Sequence, residues 1–498
     1  MSDGSLGPQG RSEALRRLCA AALTALTCAA CAPLPVRPTT GPLHDLGVEI
    51  GPPSTHALSA VYATEQARVE ITERVWRLIG ERFYDPRMNG VDWEQVRRRA
   101  VARAAVAASD AEFYRVLKEM AAALGDSHTT VLTPREALER RRFAGTRIGL
   151  LLTVADGAVA IAEVEPESPA AQAGLRPGDV LIAANGVRFD DGFAHTAMAE
   201  SQGVRADADR GDAPDVLPLD PHDAERARLL RAVRHALYGH GASGQLPVVL
   251  QVLRADGQLA QVTLTPRTVV RPPRSELEWL PGDVAVIRLT RFAAELRPQL
   301  QAILDDAARA QALIVDLRGN AGGLLDMYRW FAGAFLPEDR FALRSLRRAR
   351  HDPRVQYSAY LRVGPERGEH ARAPLLQPLA VLIDGRSASA AELTAVTLAE
   401  QRGALLVGEP SCGCAVGVRG EYVLPDGGGV RIAETAFVTA QGARLEGAPL
   451  QPSVRVSPSL ADLRRGVDTA LTVAHRLLLE GAHTTAAGLP LTAERGAP

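Results

Sequence analysis

Hydrophobic spacing changes character along the chain. Between residues 60 and 124, apolar positions recur at helical spacing in VEITERVWRLIGERF (69–83) and AEFYRVLKEMAAAL (111–124), around a turn at DPRMNG (85–90). From 147 the period shortens. RIGLLLTV (147–154), AVAIAEV (158–164), GDVLIAANG (178–186), LPVVLQVLR (246–254) and AQVTLTPR (260–267) read as strands, and SPAAQAGLRPGD (168–179) as a short helix closed by a turn. A polar stretch, 195–222, interrupts this β-rich region as an insertion. Beyond 283, apolar runs and helical segments alternate. VAVIRL (284–289), ALIVDLRG (312–319), PLAVLIDG (378–385) and ALLVGE (404–409) predict buried strands, with helices over 296–310 and 388–402. A longer connection separates the second and third of these strands. A hairpin near LPDGGG (424–429) and a closing helix near 459–480 follow. Alternation of this kind predicts an α/β domain with a mostly parallel sheet.

Composition narrows the class. A hydrophobic content of 46% over 498 residues is enough for several cores, and a net charge of −1 gives no global field for nucleic acid or an anionic membrane. The N-terminus reads as an export signal: Arg11, Arg16 and Arg17 precede the apolar LCAAALTALTCAACA (18–32). Ala29 and Ala30 before Cys31 resemble a bacterial lipoprotein cleavage box, with Cys28 where an aliphatic residue is usual. The reading favours lipidation of Cys31 over an ordinary signal peptide. Ala32, where a retention signal would need aspartate, leans toward the outer membrane. A Pro- and Gly-rich tether (32–56) follows, and the mature chain faces an oxidising, periplasmic compartment.

In open α/β sheets, chemistry collects at the carboxyl ends of the strands. DLRGNAGGLLD (316–326), DGRSASAAEL (384–393) and GEPSCGC (408–414) occupy that position. NAGG forms a tight turn whose N–H groups can face an anion. Ser389 sits in the first turn of its helix, where serine ordinarily caps but where an activated hydroxyl also gains from the dipole. The residues themselves leave both readings open.

Taken together, LIVDLRGNAGG, PLAVLIDGRSASAAELTAV, LGDSHTTVL (124–132) and ARLEGAPLQPSV (443–454) resemble the C-terminal processing, or tail-specific, serine peptidases. ESPAAQAGLRPGDVLIAANG (167–186) resembles the PDZ domain those enzymes carry. The resemblance implies an α/β crotonase-like catalytic core with an N-terminal helical subdomain and an inserted PDZ-like β domain. The resulting division is a signal segment (1–31), tether (32–56), helical subdomain (57–144), PDZ-like domain (145–268), peptidase core (269–480) and tail (481–498). Arg147, Ile148, Gly149 and Leu150 stand at the peptide-binding loop of the PDZ-like domain, with Arg147 departing from the family's usual residue.

Most of that family pairs its serine with a lysine. The chain has a single lysine, Lys118, and Cys414 stands at the expected position. A thiol is a poor base for an alcohol. The chain resembles instead a second branch, typified by the tricorn protease core, in which a histidine is the base. That likeness assigns Ser389 as nucleophile, His128 as base beside Ser127, and Glu446 as the group orienting the imidazole. Gly322 or Gly323 joins Ala390 in the oxyanion hole. Asp126 reads as a turn ligand, and Asp316 with Arg318 as a structural tie. Cys412 and Cys414 favour a disulfide; C-x-C without a second pair is a poor metal site, and no cofactor is implied. The expected activity is an endopeptidase acting on polypeptide segments. A catalytically inactive peptide-binding scaffold and an esterase are the competing readings.

Overall fold

The computed structural model describes residues 59–189, 246–349, 354–368 and 371–481, with isolated positions at 38–39 and within 229–237. The signal segment with Cys31, nearly all of the tether, the 195–222 insertion and the tail beyond 481 lie outside the described residues. The elements below belong to the compact unit Thr39–Pro498.

Helices α1 (Glu65–Arg82), α2 (Trp93–Ala105) and α3 (Asp110–Ala122) open it. Each begins where the sequence offers a polar cap: Thr64, Asp92 and Ser109 accept from the backbone three residues on. The buried Arg68 donates to the Tyr62 and Ala104 carbonyls, which satisfies the end of α2. Strand β1 (Thr130–Leu132) then leads into α4 (Pro134–Arg141), capped by the Thr133–Glu136 box.

The next region forms a sheet ordered β2-β3-β4-β5-β6, from Leu150–Ala155, Ala158–Val164, Val180–Ala184, Val248–Leu253 and Leu259–Leu264. Leu229, Val233 and Leu237, at helical spacing, pack on its apolar face. The RIGLLLTV run is broken rather than continuous. Ala144–Arg147 pairs with Arg267–Val270, and the chain turns at Gly149 (φ +85°) before β2 starts. Only glycine fits there, because a Cβ would stand 2.0 Å from that of Ser168.

The α/β part is built on a sheet ordered β7-β8-β9-β12-β13-β18: Ser275–Leu280, Val284–Leu289, Ala312–Asp316, Leu379–Ile383, Leu405–Gly408 and Val454–Arg455. All neighbours are parallel except β7 with β8. Alternate residues feed two cores. Ile287, Leu313, Val315 and Val381 face α5 (Arg297–Ala307), α6 (Leu325–Gly333) and α7 (Ala390–Arg402). Val286, Ile314, Ala380 and Leu382 face α8 (Thr469–Leu479) on the other side. Coverage of both faces explains why these strands read as unbroken apolar runs.

The connection between β9 and β12 carries structure the hydrophobic pattern hides. Strands β10 (Arg340–Arg348) and β11 (Gln356–Val363) form a hairpin, and β10 also pairs with β17 (Thr435–Thr439), which pairs with β14 (Val416–Gly417). Near the end of the core, β15 (Glu421–Val423) and β16 (Gly429–Arg431) form the expected hairpin, and β16 pairs with β1. That contact joins the segment carrying His128 to the core across three hundred positions of chain.

Asp316, only 2% exposed, takes hydrogen bonds from Arg318 (2.8 and 2.9 Å) and Arg288 (3.1 Å). Arg318 also grips Asp468, which caps α8. Burial alone would raise the Asp316 carboxyl, but the Arg318 bonds hold it below its ordinary value. Replacing Arg318 by Met leaves a buried carboxylate with a weaker partner, so roughly 3–5 kcal/mol of stability should be lost. A thermal melt of the variant checks this; an unchanged Tm contradicts it.

Candidate active site

The loops after β9, β12 and β13 converge, and buried polar side chains stitch them together. Asn320, fully buried, donates to the Leu289 carbonyl (2.7 Å) and accepts from Gly322 N–H (2.8 Å), while its own carbonyl accepts from Ala388 N–H (2.9 Å). The Ser387 hydroxyl donates to the Leu317 carbonyl (2.8 Å). Ser387 is therefore a loop tie and not the helix cap.

Ser389 stands at the junction of β12 and α7 with φ 56° and ψ −122°, a backbone region L-residues avoid. Such a strained strand-to-helix turn thrusts a nucleophilic side chain out of the backbone. It is held by Glu392, a carboxylate only 1% exposed, which accepts from Ser389 N–H (3.0 Å), Gly413 N–H (2.7 Å), Cys414 N–H (2.9 Å) and the Ser411 hydroxyl (2.5 Å). Ser389 N–H also reaches the Cys414 carbonyl (3.1 Å). Burial pushes the Glu392 carboxyl up to about 7, against the pull of those bonds. The sequence reading missed Glu392 and Asn320. Glu392 was signalled by S-x-x-E, the capping-box spacing.

The NAGG turn lies directly on this elbow. A Cβ on Gly322 would come within 2.6 Å of Ser389 Cβ and 2.7 Å of the Ala388 carbonyl. The expected oxyanion donors were Ala390 with either Gly322 or Gly323, and the hydrogen bonds distinguish the two glycines. Gly322 N–H is committed to Asn320, whereas no acceptor among the described residues meets the N–H of Gly323 or Ala390. These two remain available to an anion.

His128 enters just ahead of β1. The Asp126 carboxylate accepts from His128 N–H (2.8 Å) and Thr129 N–H (2.7 Å), a local turn that fixes the loop. Glu446 does not bond the imidazole directly. Its carboxylate takes Ser127 N–H (2.8 Å) and the Ser127 hydroxyl (3.0 Å), and that hydroxyl lies 2.6 Å from His128 Nδ1. A hydroxyl has one proton. With it given to Glu446, the oxygen accepts from Nδ1–H, and the lone pair is left on Nε2. Burial, then Arg431 and Arg140, lower His128 to about 4, so the ring is neutral at neutral pH. Burial raises Glu446 to about 7.

The 411–414 loop connects the two halves. It holds Ser389 through Cys414 and Glu392, and Gly413 accepts from Gly447 N–H (2.8 Å), next to Glu446. Cys412 and Cys414 within it are joined by a disulfide. No hydrogen bond joins the Ser389 hydroxyl to His128, a contact that in free enzymes often forms only with substrate. Lys118 binds Glu136 of the α4 capping box (2.6 Å). No cluster of three metal-binding side chains occurs among the described residues.

Residues 283–456 match peptidase family S41, residues 65–122 the tricorn protease C1 domain, and 161–199 a PDZ domain. The chain is a serine-type peptidase, and its residues 283–456 are similar to peptidase family S41. The peptidase is 26% identical to carboxyl-terminal-processing peptidase 1, chloroplastic, of Arabidopsis thaliana, over 79% of this chain and 73% of that one. It is 25% identical to the carboxyl-terminal-processing protease of Synechocystis sp., over 85% and 89%. The structure of mature CPAF complexed with lactacystin superposes with a TM-score of 0.59 at 14% identity, covering 85% of this chain and 99% of that one, a likeness of fold. No helix among the described residues is long and apolar enough to cross a membrane.

The close approach at the elbow makes a prediction. Gly322→Ala places a methyl group against Ser389 at a positive φ (+85°), so peptide hydrolysis should fall by orders of magnitude. Full activity in that variant, measured on an unstructured peptide, contradicts the placement of the turn.

Proposed function

We propose that the peptidase is an endopeptidase of exposed polypeptide segments, with Ser389 as nucleophile and His128 as its base. Glu446 acts on the ring through Ser127. Ser389 Oγ attacks the scissile carbonyl carbon as its proton passes to His128 Nε2. The charge that develops stays on the imidazolium, and the Ser127 hydroxyl, accepting from Nδ1–H and donating to Glu446, lets the carboxylate stabilise it. Gly323 and Ala390 N–H groups receive the oxyanion; losing such a donor costs about 2.7–4 kcal/mol of transition-state stabilisation. The imidazolium then protonates the leaving amine, and water releases the acyl group by the reverse sequence. The observation that carries this reading is the Glu446–Ser127–His128 chain, which leaves Nε2 free to accept. Cys414 at the usual lysine position and Lys118 bound to Glu136 favour this arrangement over a serine–lysine pair.

The same reading takes the core as crotonase-like and the PDZ domain as the substrate's first contact. Strand β2 is an edge of its sheet, open to an added strand, and Ile148 and Gly149 N–H groups meet no acceptor among the described residues. Lipidation at Cys31 in a periplasm-facing envelope remains the proposed location, resting on the N-terminal sequence.

The pH profile tests the relay. Glu446 must be ionised to accept both Ser127 bonds, and its carboxyl sits at about 7, so activity should rise with pH through that value. His128, at about 4, adds no limb there. Glu446→Gln should remove the limb and lower kcat/KM roughly hundredfold or more. An unchanged profile contradicts the relay.

A further inference from the structure

Cys412 and Cys414 are the only cysteines beyond position 31, and a disulfide joins them across Gly413. They sit in the loop between β13 and β14, where every backbone N–H from 411 to 414 has a partner. Gly413 and Cys414 donate to Glu392 (2.7 and 2.9 Å), Cys412 to the Ser387 carbonyl (3.0 Å) and Ser411 to the Leu450 carbonyl (3.1 Å). The Cys414 carbonyl accepts from Ser389 N–H (3.1 Å). On the far side, Gly413 turns at φ +68° against Pro449, where a Cβ would stand 2.8 Å from the proline ring. The loop is thus wedged between the serine elbow and the segment that carries Glu446.

A bridge over one residue does little for the fold as a whole. The chain entropy that a disulfide removes from the unfolded state falls with the length of the loop it closes. Its effect here is local. It holds the 412 and 414 Cα atoms 5.1 Å apart and keeps two successive N–H groups turned to one carboxylate. Two free thiols need van der Waals separation where a bond now stands, so reduction opens the turn. Glu392 then loses donors it needs in order to stay buried and charged, and Ser389 loses a tie at its positive φ. Both cysteines are only half-buried, within reach of a reductant. With no other cysteine beyond position 31 to exchange with, the pair has two states, bridged or free.

We propose that the Cys412–Cys414 disulfide is a redox lock on the peptidase, active when bridged and silenced by a dithiol reductant. A thiolate of the reductant attacks one sulfur of the bridge and forms a mixed disulfide. The Cys412–Cys414 bond breaks, and the displaced cysteine takes a proton. The second thiol of the reductant then displaces the other cysteine, so the reductant leaves as a disulfide and the protein keeps two thiols. Oxidation by a protein disulfide reverses the exchange. In the proposed location, the chain would be silent while it is made in a reducing compartment and active once exported to an oxidising one. The inference rests on the proposed role of Ser389.

The test uses the full-length protein, oxidised or treated with dithiothreitol. Tryptic peptide 403–419 holds both cysteines and no others, so its mass after alkylation with iodoacetamide reports the bridge. Hydrolysis of an unstructured peptide and hydrogen exchange over residues 386–393 are measured on the same samples. Reduction should lower kcat/KM about tenfold or more and speed exchange over 386–393. Both changes should reverse on reoxidation with oxidised glutathione. Cys412→Ala plus Cys414→Ala should match the reduced protein and ignore dithiothreitol. This variant keeps Cys19, Cys28 and Cys31, so any effect through them stays visible. Equal activity or equal exchange in the two states, or a bridge that resists dithiothreitol in the folded protein, overturns the proposal. So does a double variant that folds and is as active as the oxidised protein, or that still loses activity in dithiothreitol. If the double variant fails to fold, the oxidised and reduced forms of the unmodified protein decide the matter alone. Exchange over 386–393 does not depend on which residue is the nucleophile. A failed lock therefore leaves the serine–histidine reading standing, and a failure of that reading leaves the exchange result interpretable.

Discussion

One buried carboxylate organises the catalytic region. Glu392 reaches back from α7 to the backbone of Ser389 and across to Ser411, Gly413 and Cys414. Those bonds, with the Cys414 carbonyl on the same N–H, hold the serine at φ 56° against its intrinsic preference. Four donors also explain how a carboxylate tolerates 1% exposure. The same bonds fix the 411–414 loop, which in turn meets Gly447 beside Glu446. In the proposed mechanism, nucleophile and relay are therefore positioned by one buried group and one short loop.

The electrostatics suit the proposed role of His128 as a base that is neutral before it takes a proton. His128 is kept uncharged by burial and by the neighbouring arginines, while Glu446 stands ready to offset the charge that the ring acquires on taking a proton. The Ser127 hydroxyl makes this possible at a distance, since it bonds both groups. Cys414 adds no charge, and its disulfide with Cys412 closes the loop on itself.

Much of the fold was legible because burial on both faces writes itself as apolar runs. Four strands of the central sheet, β8, β9, β12 and β13, fell where those runs predicted, with the site loops at their carboxyl ends; the two edge strands, β7 and β18, were not foreseen. The β10–β11 hairpin was missed because arginines alternate with apolar residues there and Phe341, Tyr357 and Tyr360 stay exposed, so no buried run appears. The break at Gly149 was missed because its cause, Ser168, is distant in sequence. Ser127, His128 and Glu446 were brought together as a set. The order of contact within the set depends on side-chain reach, which spacing cannot express.

The most direct test of the central claim is covalent labelling of the purified protein by a fluorophosphonate, with the modified residue located by mass spectrometry. The account predicts one adduct, on Ser389, formed quickly in the unmodified protein and at least a hundredfold more slowly in His128→Ala. An adduct on another residue, or labelling of Ser389 at an equal rate without His128, would contradict it.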